Sequence, residues 1–212
     1  MPQLPSSTIH IIGGGPSAKG IPFEELKGPI IGANDSFFNA PCDWVVSIDG
    51  RWMRHRWERL KSTNAKAWLR EDSYIKHVGN HSWPNLMLGK CQVWEEAPGP
   101  GLNCLNGNNS GLVALCFGYW MFAPKRVFLY GFDMSFTGKK HWFPEYEWAA
   151  KGNGMYPAFI AQFERLSCRL KAENIDVYNV CPESKLPYFK KVNYETAKNL
   201  FIGLHQNEQG TT

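Results

Sequence analysis

Short β-branched and aromatic runs alternate with longer segments of helical spacing, and most of the runs end in glycine, asparagine or aspartate. Thr8 to Ile12 stops at Gly13-Gly14-Gly15-Pro16-Ser17, the pattern of a buried strand that ends in a glycine turn. Pro29 to Ala33 and Asp43 to Ile48 read the same way, with Asn34-Asp35-Ser36 and Asp49-Gly50 at their ends. Arg126 to Phe132 is predicted as a buried strand terminated by Asp133, and Ile175 to Val180 as another, closed by Cys181-Pro182. Ala65 to Leu69, Tyr74 to Val78 and Cys91 to Glu96 are predicted as shorter strands, within a stretch from His81 to Gly107 that is rich in loops.

Between these runs the period changes. Met53, Trp57 and Leu60 predict an amphipathic helix over Arg51 to Lys61, and Phe159, Phe163, Leu166 and Leu170 predict one over Ala158 to Ala172. Gly111 to Phe122 is apolar on all sides, so it reads as a buried helix with Asn109 or Ser110 as its N-cap and Pro124 beyond its end. Strands alternating with helices predict a single α/β domain over residues 1–212: a mostly parallel sheet with helices on both faces. In such sheets ligands bind beyond the carboxyl ends of the strands, near the change in strand order.

Composition narrows the class. A chain of 212 residues, 43% hydrophobic and 20% charged, suits one globular core. The longest apolar stretch, Gly111 to Ala123, falls short of the roughly 20 residues of a membrane span, and no secretory signal is evident from Met1 to Ser7, so a cytoplasmic protein is expected. Six cysteines without a CxxC or a Cys/His cluster favour neither zinc nor disulfides. The net charge of +4 is compatible with an anionic ligand. Nine tryptophans, Trp94 and Trp148 among them, suit core or interface packing, and leave a homo-oligomer open.

Candidate chemistry gathers at the strand ends. Gly13, Gly14, Gly15 and Ser17 form a loop that a ligand can approach closely, with consecutive N–H groups able to cradle phosphate; a tight turn without ligand is the competing reading. It is not a Walker A loop, and Ala18 stands where a dinucleotide fingerprint needs glycine. Asn34, Asp49 and Asp133 offer amide and carboxylate groups for hydroxyls, or for Mg²⁺, although aspartate after a strand is commonly a turn or cap residue. His141, eight residues past Asp133 and beside Lys139 and Lys140, has the chemistry of a general base; otherwise it is an exposed loop histidine. The helix from Arg51 to Lys61 carries five cations against one acid, together with Trp52 and Trp57, a mix that also suits DNA through phosphate contacts and base stacking.

The ordered segments IHIIGGGPS (Ile9 to Ser17), GAND (Gly32 to Asp35), WVVSIDG (Trp44 to Gly50), NSGLVALCFGYW (Asn109 to Trp120), RVFLYGFDMSF (Arg126 to Phe136) and VYNVCPESKLPYF (Val177 to Phe189) resemble bacterial sialyltransferases of glycosyltransferase family 42 over nearly the whole chain. The GxGPS turn and the strand-ending aspartate are also similar to the archaeal 6-hydroxymethylpterin pyrophosphokinase-like family, and uncharacterised phage and bacterial proteins look alike. The first resemblance implies a Rossmann-like, metal-independent transferase that binds a cytidine monophosphate (CMP) sugar along the strand tips, uses a histidine base and has a lid-like loop after Asp133. By position it implies Gly14, Gly15 and Ser17 near phosphate or sugar, Asn34 near the donor, Asp49 near ribose or sugar, and Asn109, Ser110 and Gly111 near carboxylate or phosphate. The chain departs from that family at Gly14, where the family has asparagine, at Gly107, where it has arginine, and in the lid, where its histidine comes later than His141.

The leading expectation is therefore a glycosyltransferase-like enzyme that needs no cofactor, takes a nucleotide-sugar donor and uses His141 as base. The alternatives are a Mg²⁺-dependent pyrophosphokinase or nucleotide transferase holding metal on Asp49 and Asp133, and a non-catalytic nucleotide- or DNA-binding protein.

Overall fold

The computed structural model describes residues 6–92, 101–136, 138–146 and 154–209, and side chains to 202. Among these residues nine strands form one parallel sheet: β1 (Thr8–Ile12), β2 (Ile30–Ala33), β3 (Trp44–Ser47), β4 (Lys66–Arg70), β5 (Leu86–Gln92), β6 (Cys104–Asn106), β7 (Arg126–Tyr130), β8 (Asp176–Asn179) and β9 (Lys190–Lys191). Their order is β6-β5-β4-β3-β2-β1-β7-β8-β9. The chain builds outward from β1 in one direction and then returns to β1's other side with β7, where Thr8 to Ile12 pair in register with Arg126 to Tyr130. The change of direction between β1 and β7 is the crevice where open α/β sheets bind ligands.

Among the described residues six α-helices cover both faces: α1 (Ser36–Asn39), α2 (Gly50–Lys61), α3 (Glu71–His77), α4 (Ser110–Phe122), α5 (Tyr156–Ala172) and α6 (Tyr194–Gln209). α4 packs against Ile9, Ile11, Ile31 and Val46 on one face, joined by Phe163, Leu166 and Leu170 of α5. Because the sheet, α5 and the β6 region all enclose α4, its sequence is apolar around the whole circumference. On the other face α2 and α3 cover Val45, Ala67 and Leu69, while α6 covers Ile30, Phe128 and Tyr130.

The Rossmann-like architecture agrees with expectation, with two corrections. Tyr74 to Val78 is not a strand; residues 74–77 belong to α3, where Tyr74 is fully buried and Ile75 is 54% exposed. Glu71 and Asp72 open that helix and Lys76 lies in its last turn, charges that complement its dipole. The strand expected from Cys91 begins earlier, at Leu86, and residues 93–96 of that expectation lie outside the described residues, as do Trp94, Trp148 and Thr137 of the lid. Within α2, Trp52 and Trp57 are buried against the sheet, which removes the base-stacking part of the DNA reading. Of its cations, Arg56 pairs with Asp35, Arg59 lies over the Phe38 ring and Lys61 pairs with Glu58. Among the described residues all six cysteines are free thiols, and no helix is long and apolar enough to cross a membrane.

Candidate functional site

A cleft of about 450 Å³ opens at the carboxyl ends of β1, β2, β3 and β7. Ten of the eleven residues singled out from the sequence line it: Gly13, Gly14, Gly15, Asn34, Asp49, Asn109, Ser110, Gly111, Asp133 and His141. Ser17 does not. Its N–H donates to Asp133 Oδ1 at 3.0 Å and its hydroxyl to Asp133 Oδ2 at 2.7 Å, so it holds the aspartate that faces the cleft.

The glycine turn is a clasp between two strand ends. Gly13 N–H donates to Tyr130 O at 2.7 Å and Gly15 N–H to Gly131 O at 2.9 Å, which takes two of the three loop amides away from any anion. A β-carbon on Gly15 would lie 2.0 Å from Asp133 Oδ2 and 2.7 Å from Gly131 O, and one on Gly14 would lie 2.7 Å from His141 Cδ2. Close approach, rather than an unusual backbone angle, is what requires glycine here; the left-handed residue is Gly131, at φ 69°.

Each strand tip has a separate job. Asp49 is the N-cap of α2, accepting from Arg51 N at 2.8 Å and Trp52 N at 3.3 Å through Oδ1. Asn109, not Ser110, is the N-cap of α4, with Oδ1 accepting from Leu112 N at 2.9 Å. The Ser110 hydroxyl accepts from Ile48 N at 3.2 Å and ties α4 to the end of β3. Asn34 is held in the left-handed region at φ 54°, and its Oδ1 is buried without a hydrogen-bond partner among the described residues. A buried acceptor without a protein partner beside a cleft calls for an explanation.

His141 sits beside Gly14 on the segment that follows Asp133. Trp142 fixes that segment to the turn, donating from its backbone N–H to Gly14 O at 3.0 Å and from Nε1 to Gly13 O at 3.1 Å. Glu145, four residues further on, accepts from the Lys140 and His141 amides through Oε1 at 2.7 and 3.1 Å, and its Oε2 lies 3.0 Å from His141 Nδ1. With the proton on Nδ1, shared with the carboxylate, the Nε2 lone pair is left on the Gly14 side. Partial burial pushes the Glu145 carboxyl up, but the hydrogen bonds from Lys140 and His141 outweigh it and hold its pKa below the ordinary value. Phe143 stacks on the imidazole with ring centres 4.9 Å apart.

Glu145 was not foreseen, although its spacing of four residues from His141 was visible. Also unassigned to the site were Arg51, which with Lys140 brings positive charge to the cleft, and Tyr156 and Phe159 at the start of α5, which form an aromatic wall. Burial, with the negative charges of Asp133 and Glu145, pushes the Tyr156 phenol up and keeps it protonated. Asp49 and Asp133 face the same cleft, yet each already accepts from protein N–H or O–H groups. Among the described residues no group of three or more His, Cys, Asp or Glu side chains is placed to hold a metal ion.

No family model matches the sequence, and no curated protein matches it either. Solved structures share its fold. The sialyltransferase CstII from Campylobacter jejuni, in complex with a substrate analogue, cytidine-5'-monophosphate, superposes with a TM-score of 0.54 at 15% identity, over 89% of this chain and 85% of that one. A variant of sialyltransferase Cst-II in complex with CMP gives a TM-score of 0.50 at 16% identity, over 86% of this chain and 84% of that one. At these identities the likeness is one of fold: a parallel sheet flanked by helices, shared with sialyltransferases across nearly the whole chain.

Proposed function

We propose that the cleft binds a CMP-sugar and that the protein transfers the sugar to an acceptor hydroxyl. The observation that carries this reading is the position of His141: oriented by Glu145, packed on Gly14, and facing a cleft at the crossover between β1 and β7. The cleft volume lies within the roughly 300–1,000 Å³ of small-molecule sites, and the shared fold of structures that hold CMP supports a cytidine nucleotide.

In this reading the bond between the sugar's anomeric carbon and the phosphate oxygen breaks, with its electron pair leaving on the phosphate. The acceptor oxygen forms the new bond to that carbon and gives its proton to His141 Nε2, leaving an imidazolium that Glu145 stabilises. With the Gly13 and Gly15 amides engaged, charge on the nucleotide falls to Arg51, Lys140 and the N-terminus of α4, whose positive dipole end lies at Asn109 and Ser110. Asn34 Oδ1 accepts a hydrogen bond from the donor. No metal enters these steps.

The test is release of CMP from CMP-sialic acid, with water or an added saccharide as acceptor, by the wild type and His141→Ala. The expected result is turnover that falls by about 10²–10⁴ in the variant, while CMP affinity stays within a few-fold. Wild-type turnover in His141→Ala removes the histidine from the mechanism. The alternative, a Mg²⁺-dependent transfer from a nucleoside triphosphate, gains if EDTA abolishes activity and a thermal shift appears only with ATP and magnesium.

A further inference from the structure

Asp35 follows Asn34 at the tip of β2, and the chemistry above makes no use of it. Its side chain is only 7% exposed. The carboxylate accepts from Trp52 Nε1 at 2.7 Å and from Arg56 through Nε at 2.9 and 3.1 Å and Nη2 at 2.9 Å. Removing a carboxylate and a guanidinium from water is costly even when they pair, so a largely buried pair is weak evidence of stabilisation and invites another explanation. The Asp35 backbone supplies one: its N–H donates to the Tyr146 hydroxyl at 3.3 Å, and the Arg56 guanidinium lies 5.9 Å from the centre of the Tyr146 ring.

Tyr146 directly follows Glu145, the carboxylate that orients His141. Its ring centre lies 5.0 Å from that of His141 and 5.9 Å from that of Phe143. The imidazole is thus bounded by Phe143, by Tyr146 and, at Nδ1, by Glu145. Trp142 fixes the backbone on one side of this group, and Tyr146 fixes it on the other by bonding to the tip of β2.

We propose that Tyr146, anchored on the Asp35–Arg56 pair, is a positioning residue that sets the His141 ring over the glycine turn. The proposal rests on the reading of His141 as base. It also ties the segment that carries that base to the turn at the tip of β2, where Asn34 lines the cleft, so that donor contact and base placement meet at two adjacent residues, Asn34 and Asp35.

The test uses Tyr146→Phe, which keeps the ring and removes only the hydroxyl, and Arg56→Gln, with Arg56→Lys as the conservative control. Two quantities are read on the full chain: amide hydrogen exchange across residues 140–142, and kcat and KM for hydrolysis of CMP-sialic acid. The expected result is exchange faster by roughly fivefold in Tyr146→Phe and Arg56→Gln, partial recovery in Arg56→Lys, and a fall in kcat with KM unchanged. Exchange at wild-type rates in both variants overturns the proposal whatever the activity, as does a loss confined to KM. Faster exchange in a protein whose wild type hydrolyses no CMP-sugar upholds the anchoring and refutes the transferase reading instead.

Discussion

The Ser17 hydroxyl lies 2.7 Å from Asp133 Oδ2, joining the turn after β1 to the start of the segment that leaves β7. Ser17, read from the sequence as a ligand contact, thus stands as a strut beneath Asp133, which lines the cleft. Ser17→Ala leaves one carboxylate oxygen without its donor in a partly buried place, and is expected to lower the unfolding free energy by about 1.5–3 kcal/mol, the range for hydrogen bonds to charged groups. Urea denaturation measures it; unchanged stability would show that the strut carries nothing.

The two glycines beside it make separable predictions. A β-carbon on Gly14 meets only the His141 ring edge within 3 Å, so Gly14→Ala displaces the imidazole: CMP-sugar hydrolysis falls about tenfold or more, while CMP affinity stays within a few-fold. A β-carbon on Gly15 meets the Asp133 carboxylate and the Gly131 carbonyl, groups that cannot retreat without opening the β1–β7 clasp. Gly15→Ala is expected to cost ~1–3 kcal/mol of stability, read as a lower Tm. The reverse pattern, with Gly14→Ala unstable and Gly15→Ala silent, contradicts the geometry.

Asn34 supports a prediction of unusual sign. Asn34→Gly keeps the left-handed backbone and removes the buried Oδ1 that has no protein partner. The gain from deleting an unsatisfied group, about 1–3 kcal/mol, offsets the ~0.5–1 kcal/mol entropic cost of glycine, so the ligand-free protein keeps or slightly raises its Tm. The thermal shift produced by CMP disappears. A destabilised free protein that still shifts with CMP would mean that Oδ1 serves the fold.

Glu145 has a pH signature. Its folded pKa lies below the ordinary value, so the stabilisation it gives the His141 segment is fully present above about pH 4.3, the ordinary glutamate value, and is lost as pH falls through the lowered folded value. Hydrogen exchange at the Lys140 and His141 amides, corrected for its intrinsic pH dependence, should accelerate only in that acidic window. Glu145→Gln should exchange fast at neutral pH and lose the step.

Much of this architecture was legible because the strands are buried on both faces and read as continuous β-branched runs that stop at polar tips. Ile9, Ile11 and Ile31 form that signature, and the apolar girdle of α4 marks a helix enclosed on all sides. Tyr74 to Val78 misled because five residues with apolar ends suit either period; the deciding contact, Tyr74 against Trp57, is tertiary. The cleft-lining tips followed from strand ends alone. Their partners did not: the Ser17–Asp133 strut spans 116 residues and the Asp35–Tyr146 contact 111, distances over which no local pattern operates. Asp49 and Asn109 illustrate a second limit, since one side chain can cap a helix and face a cleft, and composition does not separate the two.

The central claim, that the β1–β7 crevice is a cytidine nucleotide site with His141 placed for chemistry rather than for binding, is tested most directly by titration calorimetry of CMP into wild type, His141→Ala and Asn34→Gly. The account predicts saturable binding by the wild type, an affinity within a few-fold of it for His141→Ala, and loss of binding for Asn34→Gly. Absence of any heat with the wild type, or binding to Asn34→Gly as tight as to the wild type, would contradict it.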